Sequence, residues 1–157
     1  MIVLSESARQ AIARHAEASY PHECVGLLVG RLDGGRKIVE DIFLAQNTWS
    51  ADVGLTAAEE EHSLRDRFYL DPHDYLKADR AARGRGLDVV GCYHSHPDHP
   101  ALPSERDRVG AQGVGGGTSF SFMIQSVRGG QAAELTTWVL SDGGERFVAE
   151  ELKSAEL

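Results

Sequence analysis

Cysteine is scarce: Cys24 and Cys92 are the only two among 157 residues, too few for the disulfide framework that staples small secreted domains. No apolar run approaches the roughly 18 residues that suggest a membrane span. The start, Met1-Ile2-Val3-Leu4-Ser5-Glu6, lacks the basic and long apolar regions of a secretory signal. Basic charge is short as well, with 16 Lys and Arg against 24 Asp and Glu, a net charge of -8. With no basic stretch to offset it, Coulomb repulsion disfavours a nucleic-acid or anionic-membrane partner. These absences together lead to the expectation of a cytoplasmic protein with buried free thiols. Internal repeats are missing too, and the one biased stretch, Gly113-Val114-Gly115-Gly116-Gly117, is a loop too short to link domains.

What remains is enough for one core. The composition is 41% hydrophobic, and a chain of this length buries roughly 68–70% of the surface its unfolded form exposes, with no need of a disulfide or an oligomer. Residues 1–157 are therefore expected to form a single domain, its oligomeric state left open. From Ser5 to Ser19, the residues Ala8, Ile12, Ala16 and Ser19 recur near helical spacing, and Pro21 closes the segment. Two apolar runs, 25–30 and 38–44, flank Asp33-Gly34-Gly35 and predict a β-hairpin. Residues 46–70 are irregular, an insertion of the kind that serves function more often than scaffold. Asp71-Pro72 supplies an N-cap and a proline at the first helical position, for a helix ending at Gly84 or Gly86. Strands are expected at 87–93, 120–126, 135–140 and 146–148, and a further helix from Ser104. Helices interleaved with partly hairpin-paired strands predict an α/β or α+β domain, a mixed sheet packed by helices.

Chemistry concentrates after the apolar run 87–93. In His94-Ser95-His96-Pro97 the two histidines, on an extended chain, face one side roughly 6.6 Å apart and can converge on one ion. The alternative is a pair of ordinary polar residues at a strand edge. Three prolines then stiffen the return of the chain to Ser104-Glu105-Arg106-Asp107, where one helical turn aims a hydroxyl and a carboxylate the same way. Ser104 and Asp107 also read as a simple capping box, and both readings can hold at once. Three N/O ligands with a fourth position for water is the pattern of a catalytic zinc site. Glu23, in Pro21-His22-Glu23-Cys24-Val25-Gly26, is the candidate non-ligating base, against the plainer reading of a solvated carboxylate at a strand start. Spacing alone does not bring it near His94.

Glu23, His94-Ser95-His96, seven intervening residues, Ser104 and then Asp107 resemble the signature of the JAMM metalloproteases, the catalytically competent MPN-type domains. The Pro-x-Glu-x-x-Gly context of Glu23 is similar to the compact bacterial members. The resemblance spans nearly the whole chain and implies a cytidine-deaminase-like fold. It further implies zinc held by His94, His96 and Asp107, Glu23 taking the proton of the attacking water, and Ser104 donating to the tetrahedral oxyanion. Small bacterial members act on ubiquitin-like proteins, especially sulfur carriers, after a C-terminal Gly-Gly, so such a carrier is the implied partner. Other readings are a non-catalytic MPN scaffold, which loses ligands where this chain keeps all five positions, and a zinc deaminase, which needs a C-x-x-C that is absent. A phage-tail type of cell-wall peptidase usually brings a second catalytic domain for which this chain has no length.

Smaller expectations complete the reading. His99 is taken as a loop residue near the site mouth, and His15, His22, His62 and His73 as surface histidines. A Cys24–Cys92 disulfide is conceivable, with free thiols preferred. Trp49, Phe68 and Tyr69 either line a substrate groove or anchor a loop.

Overall fold

The computed structural model describes residues 1–50, 63–107 and 117–155. Its framework starts from the hairpin of β2 (Val25–Asp33) and β3 (Arg36–Ala45). Asp33 pairs with Arg36, so the turn is Gly34-Gly35 alone. Both glycines carry positive φ, 57° and 82°, as a two-residue turn matched to strand twist requires. On one side of this hairpin β2 pairs antiparallel with β4 (Asp88–Pro97), which pairs parallel with β5 (Gly117–Arg128). β6 (Gln131–Ser141) and β7 (Arg146–Ala149) continue that side as antiparallel neighbours. On the other side β1 (Ile2–Leu4) pairs parallel with β3, and β8 (Leu152–Ser154) pairs parallel with β1. Among the described residues the result is one mixed sheet of eight strands.

The helices cover both faces. α1 (Glu6–Ser19) is capped by the Ser5 hydroxyl, which accepts from the Ala8 amide at 3.1 Å. It buries Ala8, Ile12 and Ala16 against Leu28, Val90, Tyr93 and Met123. α2 (Pro72–Gly84) has Asp71 as N-cap and Pro72 at its first position, as the sequence predicts. It lays Ala78 over Leu27, Cys92 and Phe122 on the opposite face. With both faces covered, β2 and β4 read as near-continuous apolar runs and not as alternating ones. No helix among the described residues is long and apolar enough to cross a membrane.

Several expectations are corrected. β1 and β8 are three-residue strands, too short for a periodic signal, and they form because an existing edge can pair them. β4 runs four residues past Tyr93, through both histidines to Pro97. As preferred from the sequence, Cys24 and Cys92 are free thiols; they pack in separate cores on the two faces of the sheet, which rules out the conceivable disulfide between them. Burial pushes each up to about 12, leaving both unreactive. His15 is half-buried and not simply a surface residue: its Nδ1 lies 2.7 Å from the hydroxyl of Tyr93, which is fully buried. Tyr93 in turn needs Gly26 on the adjacent strand, where a Cβ would stand 2.3 Å from the ring. His62, the acidic run 59–61 and the glycine-rich loop up to 116 lie outside the described residues.

A buried ion pair sits apart from the histidines. Lys37 on β3 donates to Glu150 Oε2 at 2.5 Å, and the side chains are 2% and 4% exposed. The Met1 amino group, 3.5 Å away, and the hydroxyls of Ser121 and Thr137 complete the partners of that carboxylate.

Candidate active site

Parallel neighbours in a sheet cannot be joined by a tight turn, so the connection from β4 to β5 must leave the end of β4 and cross back. The described part of that connection, residues 98–107, begins where His94 and His96 end their strand. It carries Ser104 and Asp107 to the imidazoles. Asp107 Oδ1 lies 3.3 Å from His94 Nε2, Asp107 Oδ2 lies 3.2 Å from His96 Nε2, and the two Nε2 atoms are 3.1 Å apart.

The capping box is realised as well. The Ser104 amide donates to Asp107 Oδ2 at 2.9 Å, and the Asp107 amide donates to the Ser104 hydroxyl at 3.0 Å. Both sequence readings of these two residues therefore coexist, with the helical turn opening at residue 105 and its continuation outside the described residues.

Sheet register brings Glu23 to the same place. Val25 is the partner of His94, so the chain two residues earlier runs beside His96. Ser95 holds the approach: its amide donates to the Cys24 carbonyl at 3.2 Å, and its hydroxyl accepts from the Cys24 amide at 2.8 Å. Ligand atoms of Glu23, His94 and His96 all fall within 4.8 Å of one another. All five residues singled out from the sequence thus meet at one end of β4. Four of them, Glu23, His96, Ser104 and Asp107, line a cavity of about 400 Å³.

Electrostatics sorts the two carboxylates. Burial lifts Glu23 well above the usual carboxylate range, Asp107 reinforces the shift, and Arg106 and Arg67 oppose it. Burial would also lift Asp107, but the two imidazoles outweigh it and hold the group well below its ordinary value. Burial lowers His94 against the pull of Asp107. In His96 burial is overcome by the hydrogen bond and charge of Asp107 and by the Pro100 carbonyl, so the net shift is upward.

The donor set fits a tetrahedral cation. Bonds of about 2.0–2.1 Å to a common centre put neighbouring ligand atoms ~3.3 Å apart, close to the 3.1–3.3 Å separating these nitrogens and oxygens. A carbonyl oxygen only accepts, so His96 Nδ1, 2.8 Å from Pro100 O, carries a proton, and in the neutral ring Nε2 is then the lone-pair nitrogen that could face a cation. The loop presenting Pro100 is itself tied to the sheet. Ser126 Oγ donates to His99 O at 2.6 Å, and Thr136 Oγ1 donates to Ala101 O at 2.6 Å. His99 lines the mouth of the cavity, as expected.

Over the site lie Phe68, which the sequence offered as a groove-lining or loop-anchoring aromatic and which lines the cavity, and Asn47, whose part the sequence did not show. Phe68 stacks on His94 with centroids 4.4 Å apart and planes 22° from parallel, and Arg106 covers its other side at 5.6 Å. Asn47 holds the segment that carries Phe68: its Nδ2 donates to Arg67 O, and its Oδ1 accepts from the Tyr69 amide. The only sequence signal was a polar-aromatic cluster, Gln46-Asn47-Thr48-Trp49, with no period to place it.

Comparison with known proteins identifies the family and the fold. The sequence profile of prokaryotic homologs of the JAB domain matches residues 5–141. Among curated proteins, the chain is 38% identical over 98 residues to tail tip assembly protein K of Escherichia phage N15, covering 62% of this chain and 31% of that protein. It is 36% identical over 104 residues to the "Probable TtuB-protein conjugate cleaving protease" of Thermus thermophilus, covering 66% and 56%. To the desampylase of Haloferax volcanii it is 33% identical over 109 residues, covering 67% and 68%. The chain thus spans under a third of the first of these relatives and just over half of the second. A solution structure from Desulfitobacterium hafniense superposes with a TM-score of 0.79 at 27% identity, over 100% of this chain and 94% of that one. A structure described as the JAMM metalloprotease-like zinc site in the proteasome and signalosome shares the fold, at TM-score 0.52 and 16% identity over 99% of both chains.

Proposed function

The chain belongs to the family of prokaryotic JAB-domain homologs, and on that premise we propose that it is a zinc-dependent peptidase or isopeptidase. The bond it hydrolyses follows the C-terminal Gly-Gly of a ubiquitin-like or sulfur-carrier protein. The observation that carries this reading is the convergence of two imidazoles and two buried carboxyl groups beside a single cavity.

His94, His96 and Asp107 would hold the zinc. Asp107 suits the third ligand position because its carboxylate oxygens lie 3.3 and 3.2 Å from the two imidazole Nε2 atoms. Bound there, zinc supplies Lewis acidity, polarising the scissile carbonyl and lowering the pKa of a water from 15.7 towards about 7. Glu23 then accepts the proton of the attacking water and delivers it to the leaving amine, a task for which a carboxyl of raised pKa is suited. The Ser104 hydroxyl, exposed at the cavity wall, donates to the oxyanion as the carbonyl becomes tetrahedral. Phe68 shields His94 from solvent.

The substrate class draws support from the names of two relatives, a conjugate-cleaving protease and a desampylase. A Gly-Gly tail suits a metal recessed in a cavity, since glycines let the backbone approach closely. The test is Glu23→Gln, which keeps the shape of the side chain but cannot accept a proton. With the metal-loaded protein and carriers extended past Gly-Gly, mass spectrometry should show hydrolysis slowed roughly a hundred- to ten-thousandfold, with metal content unchanged. Equal cleavage by both forms would defeat the mechanism. Absence of cleavage by either form, with equal carrier binding, would favour a non-catalytic scaffold.

A further inference from the structure

We propose that Asn47 is a positioning residue that locks together the two sides of this site, Glu23 on one and the Phe68 cover of His94 on the other. The inference rests on the zinc-site reading above and adds a residue to it. Asparagine offers two N–H donors and one oxygen with two lone pairs, and here all four are engaged. Nδ2 donates to Glu23 O and to Arg67 O, both at 2.9 Å. Oδ1 accepts from the amides of Trp49 and Tyr69, both at 3.1 Å.

The Trp49 bond is the local turn that asparagine commonly makes. The other three reach 20 to 24 residues along the chain, which a merely local turn does not do. They flank Phe68 on either side, at Arg67 and Tyr69, and so set where its ring lies. That ring stacks on His94, and the Phe68 carbonyl accepts from Arg106, which neighbours Asp107. The other arm of the same amide fixes the Glu23 main chain, whose N–H donates to Leu64 O at 2.7 Å. One planar group therefore sets the base and the cover of one imidazole together. Aspartate would keep the acceptor half and turn the donor half into an oxygen facing two carbonyls.

The test is a double-mutant cycle read by zinc affinity in chelator competition, with no need of a substrate. Asn47→Asp should weaken zinc retention roughly tenfold, the lower range for groups that orient a ligand from behind. Phe68→Leu should weaken it as well, and the two together should lose no more than the worse single variant, since Asn47 acts on His94 through Phe68. In the Asp variant the Trp49 and Tyr69 amides should remain protected in hydrogen exchange, because Oδ1 is kept; in Asn47→Ala they should exchange faster. With cleavable carrier, Asn47→Asp should lower kcat more than it raises KM, since it displaces the base and not the substrate-binding wall. Wild-type zinc affinity in a folded Asn47→Asp protein, or losses that simply add, would overturn the role of Asn47 and leave the zinc site standing. A wild-type protein that binds no zinc would instead overturn the zinc reading, and this role with it.

Discussion

Among the described residues, two places bury charge, and they differ in kind. Around Glu150 the set is closed: a lysine, an N-terminal amine and two hydroxyls all point hydrogen at one carboxylate. Around Asp107 it is open, because two imidazole nitrogens, 3.1 Å apart, and two carboxylate oxygens, 3.2 and 3.3 Å from them, turn toward one shared centre. Both regions are nearly inaccessible to solvent, so burial does not separate them. What separates them is whether donors and acceptors cancel. A buried charged cluster points to an ion or a substrate when the protein's own groups leave the count unbalanced.

The largest effect that can sharpen this contrast is at the open cluster. His94→Ala or His96→Ala should drop zinc from about one ion per chain to near none, as loss of one of three protein ligands does. Metal analysis after dialysis reads this directly, and full retention in both variants would place the metal elsewhere. Next comes the closed cluster. Lys37→Met leaves Glu150 buried and short of its strongest donor, which should cost about 3–5 kcal/mol in urea unfolding. Zinc content should not move, and much of the stability should return in Lys37→Met/Glu150→Gln, where the orphaned charge is gone. Loss of metal in Lys37→Met would mean that the two regions are coupled and the contrast false.

Smaller again is Ser95→Ala, which strips the buried Cys24 amide of its acceptor. An orphaned backbone donor costs about 1–3 kcal/mol, and hydrolysis should fall along with stability because Cys24 is the residue next to Glu23. Unaltered stability would show that the Ser95 hydroxyl is not the clamp described here.

The smallest effect is a stability shift with pH. Burial first, then Asp107, raises Glu23 above its unfolded value of 4.5, so the folded protein holds that proton more tightly than the unfolded chain. The resulting stabilisation is complete below pH 4.5 and is lost as pH rises through the folded value. In metal-free protein, Glu23→Gln lacks this loss, so its Tm should match wild type in acid and exceed it modestly at neutral pH. A Tm advantage that is largest in acid would have the wrong sign for a desolvated carboxyl.

Much of this site was legible in the residues because its spacings are local. His94 and His96 share a face by the two-residue period of a strand, and Ser104 and Asp107 by one turn of a helix. Asp71-Pro72 and Gly34-Gly35 announce a helix start and a turn by their own backbone preferences. Glu23 was a candidate base by residue type and was matched by resemblance, yet its meeting with His96 depends on the pairing of β2 with β4, which no local pattern encodes. Asn47 and Phe68 lie in aperiodic chain, where a residue's partners are decided by what the loop crosses. β1 and β8 were unreadable for a related reason: three residues carry too little alternation, and only the neighbouring strand makes them strands.

Gly26 shows how a position can be indispensable while touching nothing reactive. It lies on β2 with the Tyr93 ring against it, and any side chain there meets that ring at 2.3 Å. Tyr93 immediately precedes His94 and is moored to α1 through His15, so displacing it twists the strand that presents the imidazoles. In a saturation library selected for activity, position 26 would therefore score as intolerant as Glu23. Ranking by intolerance alone would place it among the chemical groups. The two separate on which substitutions survive: Glu23 rejects changes of chemistry at constant size, whereas Gly26 rejects size whatever the chemistry, alanine included.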